Sequence, residues 1–226
     1  MDDFIKLKID EPNESILSNS GLNFTEPINI DTGEIHLGRY GYTKRTAQFK
    51  GLVFELVHNK NTDKKYLEIF GSLHKFYHSG QNCNDYYLNE LTATIKEICE
   101  LVIVHPDQIK VHRLEFGVNI MVEHKTNNVI NSFICYMGKP YELRQYEGRG
   151  LLKRFSLSQY ELKIYNKGLQ YNLNCNLLRY EIKVNRMDYL LKKGIEIECI
   201  TDLLKPNVLL QLRQQIELTL DNFLFM

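Results

Sequence analysis

The chain has no C-x-x-C pair. Its five cysteines, Cys83, Cys99, Cys135, Cys175 and Cys199, are odd in number and widely spaced. That pattern excludes a disulfide framework and a cysteine-rich zinc site, and it points to a reducing compartment. There is no run of about 18 apolar residues to cross a bilayer. The opening "MDDFIKLKID" is acidic where a secretory signal is basic and then apolar, so the expected location is the cytoplasm, away from any membrane. No repeat, low-complexity tract or Gly/Ser linker interrupts the 226 residues, a length that buries one substantial core. Net charge is missing too: 28 Lys and Arg balance 28 Asp and Glu, so there is no global pull toward polyanions.

The charge that is present is unevenly spread. Residues 1–35 carry eight acids against Lys6 and Lys8, a net of −6, mixed with Asn, Ser and Pro. They are expected to form an irregular acidic lead-in to one domain over residues 36–226. Residues 136–193 hold twelve bases against five acids, a net of +7. A basic half of this kind suits polyanion binding, and it equally suits plain solubilising surface.

Periodicity supplies the elements. "FKGLVFELVH" and "KYLEIFGSLHKF" are β-branched and aromatic runs joined by the polar "NKNTDK", which predicts a hairpin. Leu88, Leu91, Ile95 and Ile98 recur at helical spacing behind Asn84 or Asp85 as N-cap. A strand is expected at about residues 110–122, with "NSFICYMG" as its hairpin partner, then a long polar loop over residues 139–152. The strands "QYELKIYNK" and "LLRYEIKV" follow, then "NRMDYLLKKG" as a short helix ended by Gly194, and a longer helix behind Pro206. Hairpins without βαβ crossovers predict an α+β fold: a mainly antiparallel sheet with helices packed on one face and, from about residue 185, C-terminal helices.

Side chains alternate along a strand, so parity separates two faces. Leu114, Phe116, Val118 and Ile120 oppose Arg113, Glu115, Gly117 and Asn119. Leu162 and Ile164 oppose Lys163, Tyr165 and Lys167, and Leu178, Tyr180 and Ile182 oppose Arg179, Glu181 and Lys183. Such a polar face is ordinary where a sheet meets water. If the three strands are neighbours, however, Glu115, Asn119 and Glu181 converge as oxygen ligands suited to Mg²⁺ or Mn²⁺. The surrounding Arg113, Lys163, Lys167, Arg179 and Lys183 then suit a phosphate backbone. Arg144, Arg149, Lys153 and Arg154, interleaved with Tyr141, Tyr146 and Phe155, read either as a DNA-contacting loop or as solvated chain.

"RLEFGVN" (Arg113, Glu115, Asn119), "IYNKG" (Ile164 to Gly168) and "RYE" (Arg179 to Glu181) resemble, in order and spacing, three motifs of the replication initiation factors of plasmids and filamentous phages, relatives of the HUH rolling-circle endonucleases. The resemblance spans roughly residues 65–204. It implies an HUH/RRM-like core that nicks and rejoins single-stranded or hairpin origin DNA through a metal-assisted phosphotyrosine intermediate, with a host helicase as a further partner. It also implies a tyrosine nucleophile just after the R-x-E strand, where Tyr189 stands, with Tyr165 as the alternative. His74 is a candidate metal ligand or proton shuttle. The chain departs from the motifs at Glu115 and Asn119, where aspartates are expected, and it has no His-hydrophobe-His. Two other functions remain in view: a non-catalytic protein that binds origin or single-stranded DNA, and a structural or interaction protein of a mobile element.

Overall fold

The structure, a computed structural model, describes residues 2–28, 41–146 and 150–226. The acidic lead-in is not irregular throughout. Asp2–Asp10 form a strand, β1, because Ile5, Leu7 and Ile9 alternate with Lys6 and Lys8 and bury completely or nearly so. Glu14–Asn19 follow as helix α1, capped by Asn13. The strands β2 (Tyr42–Phe49), β3 (Leu52–Asn59) and β4 (Lys64–Gly71) then form an antiparallel meander that contains the expected hairpin.

Helix α2 (Leu73–Tyr77) leads through a connection to α3 (Leu88–Val102). The buried stripe of α3 is Leu91, Ile95, Ile98 and Val102, while Leu88 lies in solvent. The cap is Tyr87 rather than Asn84 or Asp85: the Glu90 carboxylate turns back to accept the Tyr87 backbone N–H at 2.7 Å. The strand β5 (Lys110–Met121) pairs with β1 on one side. A bulge there skips His112, which is exposed, and Val111 takes the buried position.

"NSFICYMG" does not pair with β5. After α4 (Thr126–Ser132), β6 (Phe133–Tyr136) forms a separate two-stranded sheet with β11 (Phe223–Phe225), held by ring contacts such as Phe133 with Phe223 at 5.1 Å. Residues 139–152 are not a long loop either: β7 (Glu142–Tyr146) and β8 (Gly150–Ser156) pair in register from Glu142 with Arg154 to Tyr146 with Gly150. Then come β9 (Tyr160–Asn166), α5 (Lys167–Gln170), β10 (Leu177–Val184), α6 (Asp188–Leu191) and α7 (Pro206–Leu220).

Nine of these strands form one sheet in the order β2-β3-β4-β1-β5-β10-β9-β8-β7, every neighbouring pair antiparallel. The fold is α+β as expected. One face is apolar through Leu7, Phe54, Ile69, Phe116, Ile164 and Ile182, and it packs with the α3 stripe, the turn at Ile200–Leu204 and α7. Among the described residues no helix is long and apolar enough to cross a membrane.

Candidate functional site

The opposite face differs between its two halves. Over β1 to β4 it carries half-exposed ion pairs, Lys6 with Glu68 and Lys44 with Glu55, each at 2.8 Å. Pairs of this type contribute little, and this half is ordinary solvated sheet. Over β5, β10 and β9 the register lays out three rows across the strands: Asn119–Arg179–Tyr165, Gly117–Glu181–Lys163, and Glu115–Lys183–Glu161. Here charged side chains are buried, with Arg179, Glu181 and Glu115 only 1%, 2% and 6% exposed. Removing such groups from water costs several kcal/mol each, which packing alone gives no reason to accept.

They are compensated by one another. Lys163 Nζ lies 2.5 Å from Glu115 Oε1 and 3.6 Å from Glu181 Oε2. Arg179 Nε donates to Glu181 Oε1 at 3.0 Å, and Arg179 Nη1 donates to Asn119 Oδ1 at 3.2 Å. The Tyr165 hydroxyl donates to Glu181 Oε1 at 2.7 Å. Burial pulls the Lys163 ammonium down, but Glu115 and Glu181 outweigh it and hold its pKa above the ordinary lysine value. Gly117 makes room for the middle row: a Cβ there would stand 2.1 Å from the Tyr180 carbonyl oxygen and 2.9 Å from Glu181 Cγ.

Above these rows opens a cleft of about 600 Å³. Its floor is Glu115, Glu181, Lys163 and Tyr165; one wall is β8 with Leu152 and Arg154, the other Lys75 and Asn82 at α2 and the connection after it. That connection lies beside the part of β5 that runs beyond β1, where Asn119 Nδ2 donates to the carbonyls of Cys83 and Asn84 at 3.3 Å each. Among the described residues, five cations, Lys75, Arg113, Arg154, Lys163 and Lys183, line the cleft against two carboxylates. Phe4, Leu152 and Gln170 also line it and were not singled out in the sequence. Only the alternation within β1 could have signalled Phe4.

Several expected site residues lie elsewhere. Tyr189 is buried on the helix side, its ring stacked on Tyr160 at 4.1 Å and its hydroxyl accepting from Gln215 Nε2 at 2.9 Å. Tyr160 has the parity of Leu162 and Ile164, so the sheet separates Tyr189 from the cleft, and burial raises its phenol pKa. Tyr165, the alternative, is the tyrosine that lines the cleft among the described residues. Lys153 points the same way as the buried Phe155 and donates to the carbonyls of Asn131 and Phe133 at 3.1 and 2.7 Å, closing the end of α4. Lys167 is wholly buried at the start of α5, its ammonium 5.9 Å from the Tyr171 ring centre. Arg179 is engaged within the floor. None of these three cations is presented to a phosphate. Arg113 is exposed at the cleft, Lys183 and Arg154 line it, and Arg144 lies outside its lining, 3.9 Å from Glu142. Arg149 lies outside the described residues.

The expected metal ligands gather only in part. His74 is buried against Tyr86, ring centres 4.8 Å apart, with Nε2 3.1 Å from Asn84 Oδ1. Asn119 is committed to Arg179 and to the connection. No group of three or more His, Cys, Asp or Glu side chains assembles among the described residues. What remains is Glu115 and Glu181 facing one position, the one Lys163 Nζ takes between them. Mg²⁺ is commonly held by one or two carboxylates, waters and substrate phosphates, so these two residues fit such an ion, with Lys163 as the competing cation.

No family model matches the sequence, and no curated protein does. Among solved structures the chain is similar to a rolling circle replication initiator protein from Geobacillus stearothermophilus, with a TM-score of 0.53 and 15% identity over 99% of this chain and 84% of that one. The likeness is one of architecture, and the chain has the fold of a rolling-circle replication initiator.

Proposed function

We propose that the protein is a rolling-circle DNA replication initiator that nicks and rejoins single-stranded or hairpin origin DNA through Tyr165. The observation that carries this reading is the Tyr165–Glu181 hydrogen bond on the floor of a cation-lined cleft. A phenol is a poor nucleophile at its ordinary pKa of about 10 and needs a base within hydrogen-bond reach. Glu181 is that base. The Tyr165 oxygen forms a bond to phosphorus, the bond from phosphorus to the 3′ oxygen breaks, and the phenolic proton passes to Glu181. The departing 3′ oxygen takes up a proton through water in the open cleft, and Glu181 returns the phenolic proton to that water, so one proton passes overall from Tyr165 to the 3′ oxygen. Lys163 and the exposed cations at the cleft stabilise the charge that builds on the phosphoryl oxygens. Because the DNA stays linked to Tyr165 through its 5′ phosphate, the same steps reversed rejoin the strand.

Mg²⁺ or Mn²⁺ held by Glu115 and Glu181 would add Lewis-acid polarisation of the phosphate. Unwinding beyond the nick calls for a helicase partner. The test is incubation with single-stranded oligonucleotides and Mn²⁺ or Mg²⁺, scored for a protein–DNA adduct that resists denaturation. An adduct formed by the wild type and absent from Tyr165→Phe supports the reading. An adduct surviving that change overturns Tyr165 as nucleophile. The ammonium of Lys163 between the two carboxylates favours one second reading, a non-catalytic single-stranded DNA-binding protein. It predicts salt-sensitive DNA binding with no adduct under any metal condition.

A further inference from the structure

Next to the charged cleft lies a second cavity of about 500 Å³ with a different chemistry. The two adjoin at Gly150, which lines the first; a Cβ on it would stand 2.8 Å from Asn166 Cβ and 3.3 Å from Asn127 Oδ1, both in the wall of the second. Five residues lining the second cavity are asparagines. Asparagine is common in turns, but these five come from three separate segments: α4, the end of β9 and the connection from α5 to β10.

Two of them form a fixed back wall. Asn127 Oδ1 accepts from Asn166 Nδ2 at 2.9 Å, and Asn166 Oδ1 accepts the Leu169 backbone N–H at 2.9 Å. The side-chain amides of the other three, Asn128, Asn174 and Asn176, make no hydrogen bond to another described residue. Leu173 and the 43% exposed Leu169 supply an apolar surface beside them, and the exposed Lys125 stands at the same cavity.

We propose that this cavity takes an unstacked adenine of the DNA strand whose phosphates lie in the neighbouring cleft, and so selects sequence. The inference rests on the DNA reading above and deepens it. Lysine and arginine on a sheet floor contact phosphates, which are the same in every sequence. A base is told apart by paired donors and acceptors along its edge, and a side-chain amide offers one of each in the spacing that adenine N6 and N7 require. The free amides supply that edge contact, Leu169 and Leu173 cover a face of the base, and Lys125 pairs with an adjoining phosphate.

The test selects binders from a random single-stranded DNA pool on the wild type and on the Asn128→Ala, Asn174→Ala double variant, followed by sequencing and salt titration. The expected result is adenine enriched roughly tenfold at one fixed position by the wild type. The double variant is expected to keep the salt slope and lose the enrichment. Salt-dependent binding without a preferred base, a preferred base other than adenine, or the same preference in the double variant overturns the proposal and leaves the DNA reading standing. Absence of salt-dependent binding overturns both.

Discussion

Glu181 Oε1 accepts two hydrogen bonds, from the Tyr165 hydroxyl at 2.7 Å and from Arg179 Nε at 3.0 Å. The arginine fixes the carboxylate from the buried side, and the tyrosine meets it from the cleft. Tyr165→Phe removes the attacking oxygen while keeping the ring, so adduct formation is expected to disappear with DNA affinity nearly unchanged. Tyr189→Phe is expected to keep the adduct and to lower stability by about 1 kcal/mol, since Gln215 loses its buried acceptor. Adduct gels and chemical denaturation of both variants check the pair of outcomes. Loss of the adduct in Tyr189→Phe alone would return the nucleophile to the helix.

Lys163 shares its position with any divalent ion that Glu115 and Glu181 bind. Lys163→Met removes that competitor and is expected to tighten Mn²⁺ binding by roughly tenfold or more, the effect of deleting one like charge from a partly buried site. Titration calorimetry on both proteins measures it. Equal affinities would separate the carboxylates from metal binding.

Gly117 has no room for a side chain, with the Tyr180 carbonyl 2.1 Å from where a Cβ would stand. Gly117→Ala is expected to push β5 and β10 apart and to cost about 1–3 kcal/mol, as overpacking does. Denaturant unfolding gives the value, and an unchanged midpoint would contradict the close approach of the two strands.

Asp202 caps the turn at Ile200–Leu204. Burial opposes its charge, but the Lys205 bond at 2.6 Å and the backbone N–H groups of Cys199 and Glu198 outweigh it and lower its pKa from 3.8 to about 2. A lowered carboxylate pKa gives stability that is present above pH 3.8 and lost as pH falls toward 2. Asp202→Asn is therefore expected to be less stable than wild type by roughly 1–2 kcal/mol at neutral pH, with the gap closing in acid. Thermal unfolding across that range checks the sign.

Much of the cleft floor could be read from alternation. Parity in β5, β9 and β10 put Glu115, Lys163, Tyr165 and Glu181 on one face, and the antiparallel register carries them to one place. The same rule, applied to "LLKRFS", would have turned Lys153 inward beside Phe155. The charge of its neighbours hid that alternation. Lys167 escaped because Asn166 ends β9 and caps α5, so strand parity no longer governs where its side chain goes. Tyr189 required knowing which side of the sheet α6 covers, a long-range fact. The hairpin of β7 and β8 was obscured by glycines and charges, although one of its cross-strand pairs, Glu142 opposite Arg154, joins opposite charges.

β1 is the earliest strand in the chain, yet it sits between β4 and β5, joining the three-strand meander to the half that carries the cleft. During synthesis its edges stay bare until strands dozens of residues later emerge, so the sheet closes only through distant pairings and at a correspondingly slow pace. The residues that look most like an expendable leader are the seam along which the two halves of the molecule are stitched.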